Sequence, residues 1–350
     1  MTPGQKSILV TGATGLVGSH LLYSLTANGE RPKALYRNEA KKEFVRKVFS
    51  YYSNDPDTLF NSIEWIYGDI DNNENLSKVV QGSTQVYNCA AQVSFDPSHK
   101  DKIIENNVRI ARNIVRACAG HTDIKLTHVS SVAAIGGNKK RNTISEYQEW
   151  NDSDTHSTYA ISKHLSEEVV WESIRNGLNA VIVNPSVIFG PGDWDHGSSL
   201  YFSKIRKGMP FYTNGVTGYV DVRDVVNTMI ILMNSPVSGE RFIISSGNLS
   251  FREIFFMIAK NLHAIRPFIY MPEPLSGFIV KIIKAISELR GKSPAITAEN
   301  IRSAYLYQNY DNTRISEISG ISFMPVSKSI EDTCRIYNKE LKQIEMSCNS

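Results

Sequence analysis

The stretch Ile8–Leu25, "ILVTGATGLVGSHLLYSL", decides the fold class because it predicts a buried strand, a glycine turn and a helix in succession. Gly12, Gly15 and Gly18 stand at three-residue intervals in that turn. The first glycine permits a sharp turn, the second lets a pyrophosphate approach the backbone, and the third allows close packing of helix on strand. Because the start of such a helix attracts phosphate, the stretch predicts nucleotide-cofactor binding rather than a plain turn.

The same alternation of apolar runs and helical patterns continues as far as Gly190. Further strands are predicted in "PKALYR", "IEWIYGDI", "TQVYNCAA", "KLTHVSSVAA" and "NAVIVNPSVIFG". Helices are predicted over Ser19–Asn28, Lys102–Ala119 and Thr158–Asn176, and a shorter one in "DNNENLSKVVQG". Nearly continuous apolar strands separated by helices are typical of a parallel sheet covered on both faces. We therefore expect an α/β fold with a Rossmann-type, doubly wound parallel sheet, which binds ligands at the carboxyl ends of its strands.

After Gly190 the pattern loosens into the turn-rich "GPGDWDHGSS" and shorter apolar segments. This change predicts a smaller C-terminal substrate domain. We expect a nucleotide-binding domain over residues 1–190 with a return segment at about 219–246, and a mainly substrate-binding domain over residues 191–345. In "YVDVRDVV", Asp221 and Asp224 are expected to be structural.

The composition is that of an ordinary globular chain, with 41% hydrophobic and 21% charged residues and a net charge of +3 over 350 residues. No long Lys/Arg run is present, so nucleic acid is not an expected partner. The longest apolar stretch, Leu275–Ile286, is shorter than a membrane span and contains Lys281 and Lys284. It predicts an amphipathic helix, with a substrate lid or a membrane-surface contact as the alternative.

Four scattered cysteines show no metal-ligand spacing. They predict a reduced, cytoplasmic setting and no metal site.

A family resemblance follows from the glycine spacing, since "TGATGLVGSH" has two residues between its first glycines where the generic dinucleotide motif has one. The stretch resembles the extended branch of the short-chain dehydrogenase/reductase superfamily, the NAD(P)-dependent epimerase/dehydratase family. "HVSSVAAIGG" and "NPSVIFGPGDW" look most like its dihydroflavonol reductase and 3β-hydroxysteroid dehydrogenase members. The resemblance covers most of the first 230 residues and implies an NAD(P)-dependent oxidoreductase.

The end of the second strand predicts which dinucleotide is used. A preference for NAD usually needs a carboxylate there, but the position is taken by Tyr36, and Arg37 follows it. A planar guanidinium suits a 2′-phosphate, and Lys41 and Lys42 lie close by in sequence. The cofactor is therefore predicted to be NADP, with NAD as the alternative.

The resemblance also implies further cofactor contacts at the strand ends. Asp69 and Ile70 in "YGDI" correspond to adenine contacts, and Ser130 and Pro185 correspond to nicotinamide contacts. The complete set of implied cofactor-binding residues is Gly12, Thr14, Gly15, Leu16, Val17, Arg37, Asp69, Ile70, Ala90, Ala91, Ser130, Tyr159, Lys163, Pro185 and Val187.

Catalysis is predicted at "STYAISKHLSEE", where Tyr159 and Lys163 stand four residues apart on one face of a helix. An adjacent ammonium lowers the pKa of a phenol and so makes it a better acid–base group. The resemblance implies that Ser131 is the catalytic serine and that Asn107, in "NNVRIARN", lies near the active site, although this helix matches the family only in part.

The resemblance implies hydride transfer between the cofactor and a carbonyl carbon, with Ser131 and Tyr159 binding the oxygen and stabilising its developing negative charge. Nucleotide-sugar dehydratases carry Thr-Asp-Glu where this chain has Ser131-Val132-Ala133, so dehydration is disfavoured. We expect an NADP-dependent oxidoreductase acting on a ketone or aldehyde, or on the corresponding alcohol.

Two alternatives remain open, a nucleotide-sugar epimerase that uses NAD and a non-catalytic, nucleotide-sensing interaction protein. A homodimer through the helices Lys102–Ala119 and Thr158–Asn176 is implied by the resemblance.

Overall fold

A computed structural model describes residues 6–92, 100–137, 143–152, 156–274, 277 and 298–348, and the structural statements that follow concern these residues. The amphipathic helix predicted at Leu275–Ile286 lies, except for Gly277, outside the described residues.

Strands and helices are interspersed along the whole of the described chain. The strands are β1 (Ile8–Thr11), β2 (Lys33–Tyr36), β3 (Glu64–Tyr67), β4 (Gln85–Asn88), β5 (Lys125–Val129), β6 (Thr143–Ile144), β7 (Ala180–Pro185), β8 (Val187–Phe189), β9 (Phe211–Tyr212), β10 (Val216–Asp221), β11 (Glu240–Ile244), β12 (Gly247–Ser250), β13 (Ile269–Tyr270) and β14 (Asn309–Tyr310). The helices are α1 (Leu16–Ala27), α2 (Lys42–Ser50), α3 (Pro56–Asn61), α4 (Asn73–Val80), α5 (Lys100–Cys118), α6 (Thr158–Arg175), α7 (Leu200–Arg206), α8 (Val222–Asn234), α9 (Phe251–Asn261), α10 (Ala298–Ser303), α11 (Thr313–Ser319) and α12 (Val326–Cys348).

Seven parallel strands form the main sheet in the order β11-β7-β5-β4-β1-β2-β3. Successive side chains of a strand point to opposite faces, so Ile8 and Val10 enter one hydrophobic core while Leu9 enters another. Helices α1 and α8 contact each other over the first core, and α5 and α6 contact each other over the second. The predicted Rossmann-type, doubly wound fold is confirmed.

Two predicted helices are confirmed as α5 and α6, but α1 begins at Leu16 rather than at the predicted Ser19. The reason lies in the glycine turn, because the extended Gly15 already caps the helix and its carbonyl accepts the amide of Ser19.

Two strands are shorter than predicted. The predicted strand "NAVIVNPSVIFG" is divided at Ser186 into β7, in the main sheet, and β8, in the three-stranded sheet β12-β10-β8. Pro185 has no N–H group to donate, while the amide of Ser186 donates to Ile244 at 3.0 Å, and the chain leaves the main sheet at this point. The predicted strand "KLTHVSSVAA" likewise ends at Val129, and Val132–Ala134 form a 3-10 helix.

No helix is predicted from the sequence at seven of the described helices, which are α2, α3, α7, α9, α10, α11 and α12, and α12 is 23 residues long. In the described part of the chain, no helix combines the length and apolar character needed to cross a membrane.

A separate hydrophobic core lies beyond the main sheet. Strand β8 and helices α7, α9 and α12 supply buried side chains to it, among them Phe189, Phe202, Ile254 and Ile330. Helix α8 and strand β11 instead belong to the main sheet and its core.

Asp221 links α8 to the long helix α12. Its buried carboxylate accepts hydrogen bonds from the amide of Arg223 (2.8 Å), from the guanidinium of the same residue (2.8 and 2.9 Å) and from the Ser329 hydroxyl (2.6 Å). Arg223 also forms an ion pair with Asp332, at 3.1 Å. The beginning of α8 is thereby joined to residues about one hundred positions later in the chain.

We expect Asp221→Asn to lower the free energy of unfolding by about 3 kcal/mol, because it removes one of the two carboxylates paired with the partly buried Arg223 guanidinium. Urea denaturation followed by circular dichroism measures the loss. Asp123→Asn, an exposed position before β5, is the matched control and should leave the free energy of unfolding unchanged. A loss at Asp221 no larger than in this control would contradict the structural role.

Candidate active site

The glycine turn after β1 combines two tightly packed glycines with one exposed glycine. Gly12 has a φ of +64°, and a Cβ added there would lie 2.5 Å from the amide nitrogen of Ala90. A Cβ on Gly18 would lie 2.3 Å from the carbonyl oxygen of Gly12. Gly15 is exposed, and its Cβ would make only an ordinary contact, 3.4 Å from Gly12. Gly12 and Gly18 are therefore required by packing within the chain, whereas Gly15 leaves open space toward solvent.

No negatively charged side chain of the first turn offsets the partial positive charge at the start of α1. Gly15 occupies the N-cap position without a side-chain cap, and no acidic residue lies in the first turn. Thr14, Leu16 and Val17 border this helix end and are all half-buried. The unpaired N–H groups and the positive end of the helix dipole give it the chemistry of a phosphate site.

Arg37 and Asp69 meet at the carboxyl ends of β2 and β3. The guanidinium and the carboxylate form an ion pair at 3.4 Å, and the arginine side chain is 74% exposed. Lys41 is also exposed, whereas Lys42 is held by Glu39, at 2.9 Å, and over the Tyr36 ring, at 3.8 Å. Arg37 and Lys41 are therefore the cations directed to solvent at this corner.

Ile70 is fixed by its backbone, since its carbonyl accepts the Asn113 amide at 3.1 Å. Ala90 and Ala91 follow β4, on the other side of the glycine turn.

A network of buried, hydrogen-bonded polar side chains lies next to these residues. The Asn88 side-chain oxygen accepts the Thr11 hydroxyl at 2.8 Å and the Ala90 amide at 3.2 Å, and its amide group contacts His128 Nδ1 at 3.0 Å. Burial lowers the pKa of His128 to about 3, so this imidazole is neutral and its Nδ1 can accept the amide hydrogen. This side-chain network connects β1, β4 and β5 at the point where the strand order reverses.

Ser131, Tyr159 and Lys163 come together at the end of β5. The Ser131 and Tyr159 hydroxyls share a hydrogen bond, and the Lys163 ammonium donates to the Val129 carbonyl at 3.0 Å. Burial raises the pKa of Tyr159, while its hydrogen bond with Ser131 lowers it. Burial lowers the pKa of Lys163 to about 8, against the opposing effect of the nearby Glu167 charge. The arrangement places two hydroxyl groups and an ammonium at one strand end.

Asn107 contacts the loop after β4 rather than the three groups just described. Its side chain accepts the Gln92 amide at 2.7 Å, and donates to the Gln92 carbonyl at 2.9 Å and to the Ser162 hydroxyl at 3.1 Å. Because Ser162 precedes Lys163, Asn107 connects this loop to α6.

The remaining predicted positions lie at the same edge of the sheet or just beyond it. Pro185 ends β7 and is buried, and Val187 begins β8. The Ser130 hydroxyl donates to the buried Glu167 carboxylate at 2.6 Å, so it is directed into the protein. A nicotinamide contact by Ser130 stays a prediction. Glu167 itself was missed by the sequence analysis, although its spacing of four residues from Lys163 on a helix was a visible signal.

Comparison with known proteins agrees with this architecture. The sequence profile of the NAD dependent epimerase/dehydratase family matches residues 8–245, more than half of the chain. A protein of Synechocystis sp. that carries the provisional name dihydroflavonol 4-reductase is 26% identical over 333 residues, 92% of each chain. The sterol demethylase protein B of Methylococcus capsulatus is 28% identical over 276 residues, 76% of this chain and 78% of that protein.

Among solved structures, the crystal structure of gox2253 superposes with a TM-score of 0.78 at 22% identity, covering 96% of this chain and 99% of that one. At that identity the likeness shows the fold alone.

The fold and the family together define an NAD(P)-dependent oxidoreductase enzyme. The chain belongs to the NAD-dependent epimerase/dehydratase family, within the extended short-chain dehydrogenase/reductases, as its glycine motif indicates.

Gly15→Ala should weaken NADPH binding by about tenfold or more while lowering the melting temperature only slightly, because the methyl group would occupy the space that a pyrophosphate needs and alanine is only a poorer helix N-cap. Fluorescence titration with NADPH and a thermal melt measure the two effects. Gly18→Ala is the structural counterpart and should cost about 1–3 kcal/mol of stability, since its methyl group would overlap the Gly12 carbonyl. Equal NADPH affinity in Gly15→Ala and the unaltered chain would contradict a phosphate site here.

Proposed function

We propose that this chain is an NADP-dependent reductase of a ketone or aldehyde, using Ser131, Tyr159 and Lys163. The observation that carries the proposal is the Ser131–Tyr159 hydrogen bond with a buried ammonium one helical turn away. These groups lie at the edge of the sheet that also carries the glycine turn. The Synechocystis relative is named a reductase, which supports a carbonyl substrate.

In the proposed reaction, bound NADPH supplies a hydride to the substrate carbonyl carbon. Ser131 and Tyr159 bind the carbonyl oxygen and stabilise the negative charge that develops on it. Tyr159 then donates its hydroxyl proton to that oxygen, and the Lys163 ammonium stabilises the phenolate that remains. The buried position of Lys163 keeps its ammonium away from bulk water, which strengthens this electrostatic effect.

NADP is preferred in this proposal because no carboxylate lies at the end of β2. Asp69 competes for Arg37, but both side chains are substantially exposed and such ion pairs contribute little. A doubly charged 2′-phosphate offers Arg37 a stronger and bidentate partner.

A panel of ketones and aldehydes, read by the absorbance of NADPH, tests the reaction class directly. Reduction of at least one carbonyl compound supports the proposal. Tightly bound NAD in the purified protein, with thermal stabilisation by UDP-sugars and not by NADPH, would instead identify a nucleotide-sugar epimerase. A homodimer through α5 and α6 stays part of the proposal.

Tyr159→Phe should lower kcat by about 100- to 10,000-fold, because the proton donor is lost while the ring is kept. The dissociation constant for NADPH should change far less than kcat, since the aromatic ring still fills its place. Steady-state kinetics with a substrate from the panel and a binding titration measure both values. A kcat equal to that of the unaltered enzyme would remove Tyr159 from the mechanism.

Arg37→Met should reduce kcat/KM for NADPH by about tenfold through loss of a charge-assisted hydrogen bond, and should not reduce kcat/KM for NADH. Arg31→Met, an exposed arginine before the opposite end of β2, is the matched control and should affect neither cofactor. An equal loss with both cofactors would show that Arg37 does not read the 2′-phosphate.

A further inference from the structure

Glu167 is a buried carboxylate on α6, one helical turn beyond Lys163, with only 2% of its surface exposed. One oxygen accepts the Ser130 hydroxyl at 2.6 Å and the Asn184 amide at 2.8 Å. The other accepts the Trp171 indole at 3.2 Å and the Arg241 guanidinium at 3.0 Å. Both oxygens are therefore fully used, as a buried carboxylate requires.

Three of these four partners lie in or directly after separate strands of the main sheet, while Trp171 lies on α6 itself. Ser130 follows β5, Asn184 lies in β7, and Arg241 lies in β11. The Asn184 amide group also donates to the Ser131 carbonyl at 2.9 Å, so the serine backbone is tied to Glu167 through one intermediate side chain. Glu167 thus joins α6, which carries Tyr159 and Lys163, to the strand end that carries Ser131.

Arg241 extends the same network to the loop after β6. Its guanidinium donates to the Glu146 carbonyl at 2.8 and 2.6 Å and to the Gln148 carbonyl at 3.0 Å.

We propose that Glu167 is the positioning residue of this active site, holding Ser131 in register with Tyr159 and keeping the Lys163 side chain positively charged. This inference rests on the proposed function. It assigns to Glu167 a role that requires its negative charge, beyond the hydrogen bonds that a neutral residue could replace.

The charge argument follows from the groups around Lys163. Burial raises the pKa of Cys89 to about 12 and lowers that of His128 to about 3, so both are neutral near pH 7. Tyr159 is neutral as well, because burial raises its pKa. Glu167 supplies negative charge one helical turn from Lys163 on the same helix face, and Arg241 is bound to one of its two oxygens. Without the Glu167 charge, burial dominates over the remaining hydrogen bond to the Val129 carbonyl, and the pKa of Lys163 is expected to fall below about 8.

Glu167→Gln is the decisive substitution because an amide has nearly the same shape without the charge. The amide NH₂ group of the glutamine would replace one carboxylate oxygen, and it would then face the two hydrogen-bond donors that this oxygen now accepts. Glu168→Gln is the matched control, since Glu168 is the next residue of the same helix and is exposed.

The experiment is a pH titration of the cofactor-free, full-length chain labelled with ¹³C at lysine Cε, followed by NMR. The Lys163 signal is assigned by its absence in Lys163→Met. Glu167→Gln should lower the titration midpoint of Lys163 by more than about half a pH unit, and Glu168→Gln should leave it unchanged. The alkaline limb of the pH profile of kcat should likewise move to lower pH. The value of kcat at the optimum pH should fall by about 100-fold, because Ser131 would be misplaced.

An unchanged Lys163 midpoint in folded Glu167→Gln would overturn the inference. If that variant does not fold, Glu167→Asp keeps the charge and should retain the original midpoint, and a lowered midpoint there would also overturn it. Failure of the proposed function is recognised separately, because the unaltered chain would then reduce no carbonyl compound while the lysine titration still responds to Glu167.

Discussion

Close backbone contact at the glycine turn is the constraint on which the rest of the site depends. The peptide of Gly12 lies against Ala90 on one side and Gly18 on the other, and neither glycine has room for a Cβ atom. This contact places the start of α1, which has no side-chain cap, where the strand order reverses between β1 and β4. Because all seven strands are parallel, the residues that follow them gather at the same edge, where ligands of doubly wound sheets bind.

Two buried polar networks hold that edge together. Asn88 links β1 and β5 from below the glycine turn, and Glu167 links α6 to β5, β7 and β11. A buried polar group is costly unless its hydrogen bonds are made, so networks of this kind favour one arrangement over many near-equivalent ones. These networks consequently hold Ser131, which caps the 3-10 helix after β5, close to α6, which carries Tyr159, and such positioning suits a reaction that depends on orientation.

Electrostatic effects in the site differ in strength according to burial. Lys163 is buried, so desolvation and the charge of Glu167 act on its pKa in opposite directions and with little screening from water. Arg37 and Asp69 are exposed, and solvent and salt weaken their attraction. In the proposed mechanism, fixed internal charges therefore act on the acid–base groups, while the exposed Arg37 corner, which we propose selects the cofactor, stays open to a charged ligand.

The sequence by itself determined the features that depend on local period: the alternation of strands and helices, the glycine spacing and the placement of Tyr159 and Lys163 on one helix face. Tertiary structure decided the features that join distant residues, such as the contact of Asp221 with Ser329, 108 positions later. Glu167 and Glu168 show the physical reason. They are identical neighbours in the sequence, and only packing against β5, β7 and β11 buries one among donors and leaves the other in water.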